Sequence, residues 1–213
     1  MGVSGAHGAV SRVGVLGGTF DPPHLAHLVL AAAARRVLQL DRVVLVPAGD
    51  PWRKADRAVT PAALRLRMVE AAAAATLPWA EVSAIEIERE GPSYTVETIA
   101  ALAAGEPDAE WWFLLGADAL ADLPNWHEPR RLVESTRFAL VLRPGETPAA
   151  GPGEASAAAL PGLTERLDSV AMPELAIAAS DLRRRVRLGL RTEPLLPAAV
   201  RRLVDELGLY RRR

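Results

Sequence analysis

The chain has 213 residues, half of them hydrophobic, and its 25 basic and 26 acidic side chains leave a formal net charge of −1. That length supports one full hydrophobic core, and the near-neutral balance excludes the broad basic field that nucleic acid or a membrane surface would need. The lack of cysteine excludes disulfides and thiolate metal sites, and no apolar run approaches the roughly 20 residues of a membrane span.

Residues 1–11, mostly Gly, Ser, Ala and His, read as a disordered leader without the apolar stretch of a signal peptide. The expectation is a soluble cytoplasmic protein with a single domain over 12–213. Its first element is a short buried strand at Val13–Leu16. A turn follows, Gly17-Gly18-Thr19-Phe20-Asp21-Pro22-Pro23, and then a run of helix formers from Leu25 to Leu38. Strand, glycine turn and helix N-terminus together suit a phosphate, because small residues allow close approach and free backbone N–H groups point at the anion. His24 and His27, three positions apart, project from one face at that helix start, where two imidazoles can donate to a polyphosphate. A capping pair would show the same spacing.

Asp41–Pro47 reads as a second buried strand, so the unit is βαβ and the two strands are parallel. Ligands on such sheets bind outside the carboxyl ends of the strands. Gly17, Gly18 and the loop from Ala48 to Lys54 therefore share one rim. Lys54 is the one lysine among the 25 basic residues, and it supplies a compact ammonium where the chain otherwise uses Arg. Thr60 and Pro61 read as the N-cap and first position of a helix to about Ala75, with Arg65, Arg67 and Glu70 on its solvated face. Glu81–Ile87 alternates as a half-solvated strand would. Around Tyr94, the hydroxyls of Ser93, Thr95 and Thr98 are suited to capping the helix that follows.

Glu110–Gly116 is the most apolar segment and reads as a central strand. It runs into Asp118 on the same rim, where a carboxylate can accept ribose hydroxyls or cap a short helix. Trp126 stands in a polar turn, where a large ring needs a reason beyond packing. Ser135–Gly145 reads as a strand with Arg143 at its carboxyl end. The stretch 144–163 has no periodicity and reads as a mobile surface insertion. Leu167–Pro173 supplies a last strand. A further helix opens after Ile177, with Arg184, Arg185 and Arg187 as solvated positions. Pro197–Leu207 is an amphipathic closing helix, and Tyr210 reads as a packing residue before a solvated basic end.

Gly17–His27 resembles the GGTFDPxHxGH opening of the HxGH-type nucleotidyltransferases, and within them the bacterial nicotinate mononucleotide adenylyltransferases; Ala26 replaces the usual Gly. The likeness continues through Pro92–Thr98 (PSYTxxT), Gly116–Asp118 (GxD), Arg143–Gly145 (RPG) and Ile177–Arg183 (ISxTxxR, with Ala178 for the usual Ser). It implies a doubly wound parallel α/β sheet of Rossmann-like kind. It also implies adenylyl transfer from ATP to nicotinate mononucleotide, giving nicotinic acid adenine dinucleotide and pyrophosphate. His24, His27, Lys54 and Arg183 would be the catalytic set. Gly17, Gly18, Thr19, Phe20, Gly116, Asp118, Arg143, Ser180 and Arg183 would hold ATP; Tyr94, Thr95, Trp126 and Lys54 would hold the mononucleotide. His127 takes no role in this reading. No carboxylate pair suited to metal stands out, so Mg²⁺ would arrive on the ATP phosphates. Partners are then small molecules, with a homo-oligomer left open.

Three other readings compete. Nicotinamide mononucleotide or phosphopantetheine adenylyltransferases share the opening. Ala26 and Ala178 keep a catalytically impaired nucleotide-binding regulator in play. A zinc site at His24 and His27 would need a third ligand such as Asp or His127.

Overall fold

The computed structural model describes residues 10–49, 59–142, 153–173 and 175–211. The apolar runs pair as strands β1 (Arg12–Gly18), β2 (Arg42–Pro47), β3 (Ala80–Val82), β4 (Glu110–Gly116), β5 (Arg137–Leu142) and β6 (Leu167–Ala171). All pairings are parallel, in the order β3-β2-β1-β4-β5-β6. The order reverses between β1 and β4, which opens a crevice at their carboxyl ends. Both sheet faces are covered, so the strands are continuous apolar runs with little alternation. Val13, Val15, Val44 and Val46 pack into one core cluster, while Leu16, Val43 and Leu45 pack into the other.

Helices α1 (Leu25–Val37), α2 (Ala62–Thr76), α7 (Ala179–Arg187) and α8 (Ala198–Glu206) cover the second of these faces, through Leu28, Met68, Leu182 and Val200. The first face is covered by α3 (Thr95–Gly105), α4 (Ala117–Asp122) and α5 (Pro129–Ser135), through Ile99, Leu120 and Leu132. No helix among the described residues is long and apolar enough to cross a membrane.

Four sequence expectations need correction. β3 stops at Val82 instead of continuing to Ile87: after Ser83 the backbone turns, with Ile87 and Glu88 N–H donating to the Ala84 carbonyl. The alternation there served a turn that brings Glu86 inward. Residues 153–163, the described half of the supposed mobile insertion, contain helix α6 (Gly153–Ala159) and bury Leu160 and Leu163 in the core. Burying two leucines anchors the segment. Pro61, not Thr60, is the N-cap of α2, and Tyr94 is that of α3; neither makes a side-chain cap, so the Ser93, Thr95 and Thr98 hydroxyls are not caps. Thr98 instead donates to Glu86 Oε1 at 2.8 Å. Finally, Arg65 does not lie on a solvated face. It is only 1% exposed.

Candidate active site

The glycine turn leaves β1 beside the crevice. Space at Gly18 is tight, since a Cβ there would lie 3.2 Å from the Phe20 ring and press on it. Phe20 itself has φ of +48°, a left-handed conformation that costs a non-glycine residue on the order of 1–3 kcal/mol. Its ring is buried, 4.8 Å from that of His27, so only its backbone is placed to face a nucleotide. The carbonyls on either side hold the turn in this shape. Thr19 O accepts from Arg65 Nη1 at 2.8 Å, and Asp21 O accepts from Arg183 Nη1 at 2.6 Å.

Arg65 makes two further bonds, to Gly49 O at 2.9 Å and Thr60 O at 2.8 Å. One buried guanidinium thus ties together the glycine turn, the end of β2 and the segment before α2. Burial pushes its pKa down from the usual guanidinium value, while Asp21 and Tyr210 act the other way. Gly49 is itself confined, because a Cβ would meet the Glu86 carbonyl. Burial raises the pKa of the Glu86 carboxyl, opposed by bonds from Thr98 and the Gly49 N–H and by the Arg89 charge.

His24 is the N-cap of α1 and His27 its N3 residue, with ring centroids 3.9 Å apart. The spacing is that of a capping box built from imidazoles. His24 N–H donates to His27 Nδ1 at 3.2 Å, so the His27 ring proton belongs on Nε2, which makes that atom the donor. His24 is buried, and loss of hydration pushes its pKa down to about 4. It is therefore neutral at pH 7 in the free protein. The expectation of free N–H groups at the start of α1 also changes: Leu25 N–H is bonded to the Leu195 carbonyl at 2.9 Å.

Asp21, 5% exposed, joins three distant segments. Its carboxylate accepts from the Tyr210 hydroxyl at 2.7 Å and the Thr60 N–H at 3.4 Å, and lies 3.9 Å from the Arg183 guanidinium. Ser180 is exposed in the first turn of α7, whose N-cap Ala178 offers no side-chain acceptor. A cleft of about 540 Å³ lies next to it, lined by Leu30, Gly116, Val141, Met172, Ile177 and Ala178. Gly116 and Asp118 are exposed at the end of β4, with Asp118 in the first turn of α4, where it makes no cap bond.

On the other side of the crevice, Trp126 donates through Nε1 to Asp122 Oδ2 at 3.2 Å and meets Phe113 edge-on at 5.8 Å. Tyr94, just before Thr95 at the start of α3, stacks on His127 at 4.1 Å and 27°. Lys54 and Arg143 lie outside the described residues. Among the described residues no group of three or more His, Asp or Glu side chains is placed to hold a metal, so the zinc reading finds no third ligand there.

The model of the cytidylyltransferase-like family matches residues 15–185. The chain is 41% identical to a probable nicotinate-nucleotide adenylyltransferase of Thermomicrobium roseum, covering 95% of this chain and 92% of that one. It is 44% identical to the protein of the same name from Bordetella avium, covering 95% and 99%. The chain belongs to the nicotinate-nucleotide adenylyltransferase family.

Solved structures agree on the fold. The Plasmodium falciparum nicotinic acid mononucleotide adenylyltransferase, complexed with NaAD, superposes with a TM-score of 0.73 at 16% identity over 94% of this chain and 97% of that one. A putative nicotinate-nucleotide adenylyltransferase from Vibrio parahaemolyticus gives 0.65 at 18% identity, over 96% and 98%. Within this adenylyltransferase family member, Arg65, Glu86 and Tyr210 escaped a reading by local pattern. A helix-borne arginine, a strand-like glutamate and a terminal tyrosine carry no signal of distant partners. His127 stacks on a residue 33 positions earlier, which spacing does not reveal either.

Proposed function

We propose that this protein transfers an adenylyl group from ATP to nicotinate mononucleotide. The observation that carries the reading is the meeting at one rim of the Gly17–Asp21 turn, His27 and Arg183, segments drawn from opposite ends of the chain. The near full-length relatives, named for that reaction, support the same assignment.

In this reading the mononucleotide phosphate oxygen attacks the α-phosphorus of ATP in line. The bond to the bridging oxygen breaks, and pyrophosphate leaves with its electron pair. No covalent enzyme intermediate is needed, and catalysis consists of alignment and charge stabilisation. His27 Nε2–H donates to the phosphates, Arg183 supplies the fixed cation and Ser180 a hydroxyl at the start of α7. Lys54 and Arg143 are proposed to add cations, and neutral His24 to orient His27. The adenosine lies along the cleft lined by Gly116, Ile177 and Ala178, with Gly17, Gly18, Thr19 and the Phe20 backbone under the phosphates and Asp118 on the ribose. Tyr94, Thr95 and Trp126 receive the pyridine ring. Mg²⁺ travels on the ATP phosphates, since the Asp21 carboxylate nearest the turn is already bonded to Tyr210 and Thr60. We propose a cytoplasmic location for it.

A pyrophosphate-release assay with ATP and nicotinate mononucleotide, nicotinamide mononucleotide or phosphopantetheine tests this reading. Release with nicotinate mononucleotide, coupled to formation of the dinucleotide, is the expected result. ATP binding without turnover on any acceptor would replace it with a regulator, and preference for phosphopantetheine would move the protein to a different adenylyltransferase.

A further inference from the structure

The chain's last described turn reaches the phosphate-facing rim. After α8, Gly208 at φ of +62° and a bond from Leu209 N–H to the Val204 carbonyl at 2.9 Å swing the backbone round. Tyr210 then adopts φ of +62°, a left-handed conformation that a tyrosine takes only at some cost. This delivers its hydroxyl to Asp21 Oδ1 at 2.7 Å, across 189 positions of sequence. The ring is partly buried, with the oxygen 3.9 Å from Met68 Sδ. Burial and the Asp21 carboxylate both push the phenol pKa upward, so the group remains a proton donor.

A buried carboxylate without neutral donors pairs with the nearest guanidinium, usually through two parallel bonds. Here it does not. Arg183 Nη1 bonds the Asp21 carbonyl at 2.6 Å, while the carboxylate stays 3.9 Å away and is satisfied by Tyr210 and Thr60. An arginine left outside a tight ion pair keeps more of its charge for an incoming anion. We propose that Tyr210 is a positioning residue for ATP: by holding Asp21 Oδ1 it fixes the orientation of the carboxylate, whose other oxygen, Oδ2, accepts from the Thr60 N–H and stays 3.9 Å from Arg183, so that Arg183 remains on the Asp21 carbonyl and available to the triphosphate. The proposal rests on the reading that the start of α7 holds the triphosphate, and it adds a residue that acts through another.

Tyr210→Phe keeps the ring and removes the donor. Its ATP dissociation constant, measured by titration calorimetry, is expected to rise about tenfold, the scale of one hydrogen bond in a charged network. KM for nicotinate mononucleotide is expected to stay within about twofold. On an Arg183→Lys background the same change is expected to add less than about twofold, because Tyr210 acts through Arg183. Unchanged ATP affinity in Tyr210→Phe overturns the proposal, and so does a full tenfold loss on top of Arg183→Lys. In the parent protein, a fluorotyrosine resonance at 210, told apart from Tyr94, is expected to shift with ATP but not with nicotinate mononucleotide alone; no shift, or an equal shift with both, also overturns it. A protein that binds ATP with this coupling but never turns over refutes adenylyl transfer and leaves the role of Tyr210 standing.

Discussion

His24 and His27 share a motif but have different environments. The His27 ring accepts from the His24 backbone at Nδ1, which directs its proton to Nε2. His27→Ala is expected to lower kcat at least ~100-fold, the usual scale for removing a preorganised donor. Its far-UV circular dichroism should be unaltered, because Ala suits a helix interior. A folded variant with near-normal kcat would remove His27 from the mechanism. His24 carries a different expectation, since its pKa falls from 6.5 to about 4 on folding. Between those values the unfolded chain binds a proton that the folded chain refuses, so stability rises with pH across this window and is lost as pH falls from about 6.5 towards 4. The size is on the order of 3 kcal/mol when the whole window is crossed. Urea unfolding at pH 7 and pH 4.5 should show this slope in the parent protein and a shallower one in His24→Asn. Equal slopes in the two proteins would mean that His24 is not the group responsible.

At the scale of elements, the Gly17–Asp21 turn owes its shape to segments that lie far from it in sequence. Phe20 holds a left-handed backbone because Arg65 of α2 and Arg183 of α7 grip the carbonyls before and after it. Arg65→Met removes the donor to the Thr19, Gly49 and Thr60 carbonyls together. Even with partial rescue by water, leaving them unmatched should cost ~3 kcal/mol or more. We expect the urea midpoint to drop and KM for ATP to rise, with Arg65→Lys intermediate because one ammonium cannot span three carbonyls as a planar fork does. If Arg65→Met is as stable as the parent, the three-way tie has no energetic weight. Helix α1 illustrates the converse: the Leu195 carbonyl already takes the Leu25 N–H, so one of the N–H groups expected to be free at this helix start is engaged by a segment 170 positions away.

For the molecule as a whole, the reversal of strand order between β1 and β4 opens one crevice, and the two substrate regions proposed above lie on either side of it. The α7 side carries Arg183 and the apolar cleft; the α3 side carries Tyr94, Thr95 and Trp126. Arg89, near this second side, is bonded to Thr98 at 3.2 Å and lies 3.8 Å from Glu97. With Arg89 engaged in this way, we expect the choice of pyridine substituent to fall to neutral donors such as the Thr95 hydroxyl and backbone N–H groups near Tyr94 and Trp126, and Lys54 to serve the phosphates. Such donors suit a carboxylate and are left unpaired against an amide N–H₂. We expect kcat/KM to favour nicotinate over nicotinamide mononucleotide by at least ~100-fold, a difference of ~2.7 kcal/mol. Trp126→Ala should weaken both substrates, whereas Thr95→Val should narrow the gap between them. Comparable kcat/KM for the two in the parent protein would overturn this account of selectivity and leave adenylyl transfer intact.

The sequence by itself determined the architecture and where along the chain a candidate site was to be sought. Unbroken apolar runs marked β1, β2, β4 and β5 because a parallel sheet buried on both faces needs no polar side; the glycine turn and the two histidines were legible as a local pattern at a strand end and helix start, and Arg183 through its likeness to the family's ISxTxxR segment. Only the tertiary structure decided how those pieces are held. Arg65 follows the helical spacing of a solvated residue, yet three carbonyls from separate loops converge on it, and no local pattern encodes that convergence. Glu86 alternates like a strand residue and instead turns toward Gly49 and Thr98, because β2 pairs with β3 for three residues only. Leu160 and Leu163 stand in an Ala- and Gly-rich stretch without period, and it is the exposed edge of the apolar core that draws them in. Tyr210 and Asp21 lie 189 positions apart, and their bond exists because α8 packs on the same sheet face as α1 and returns the end of the chain to its beginning. Local pattern records what a segment prefers; which carbonyl or carboxylate waits at the end of a long side chain is settled only when the layers close.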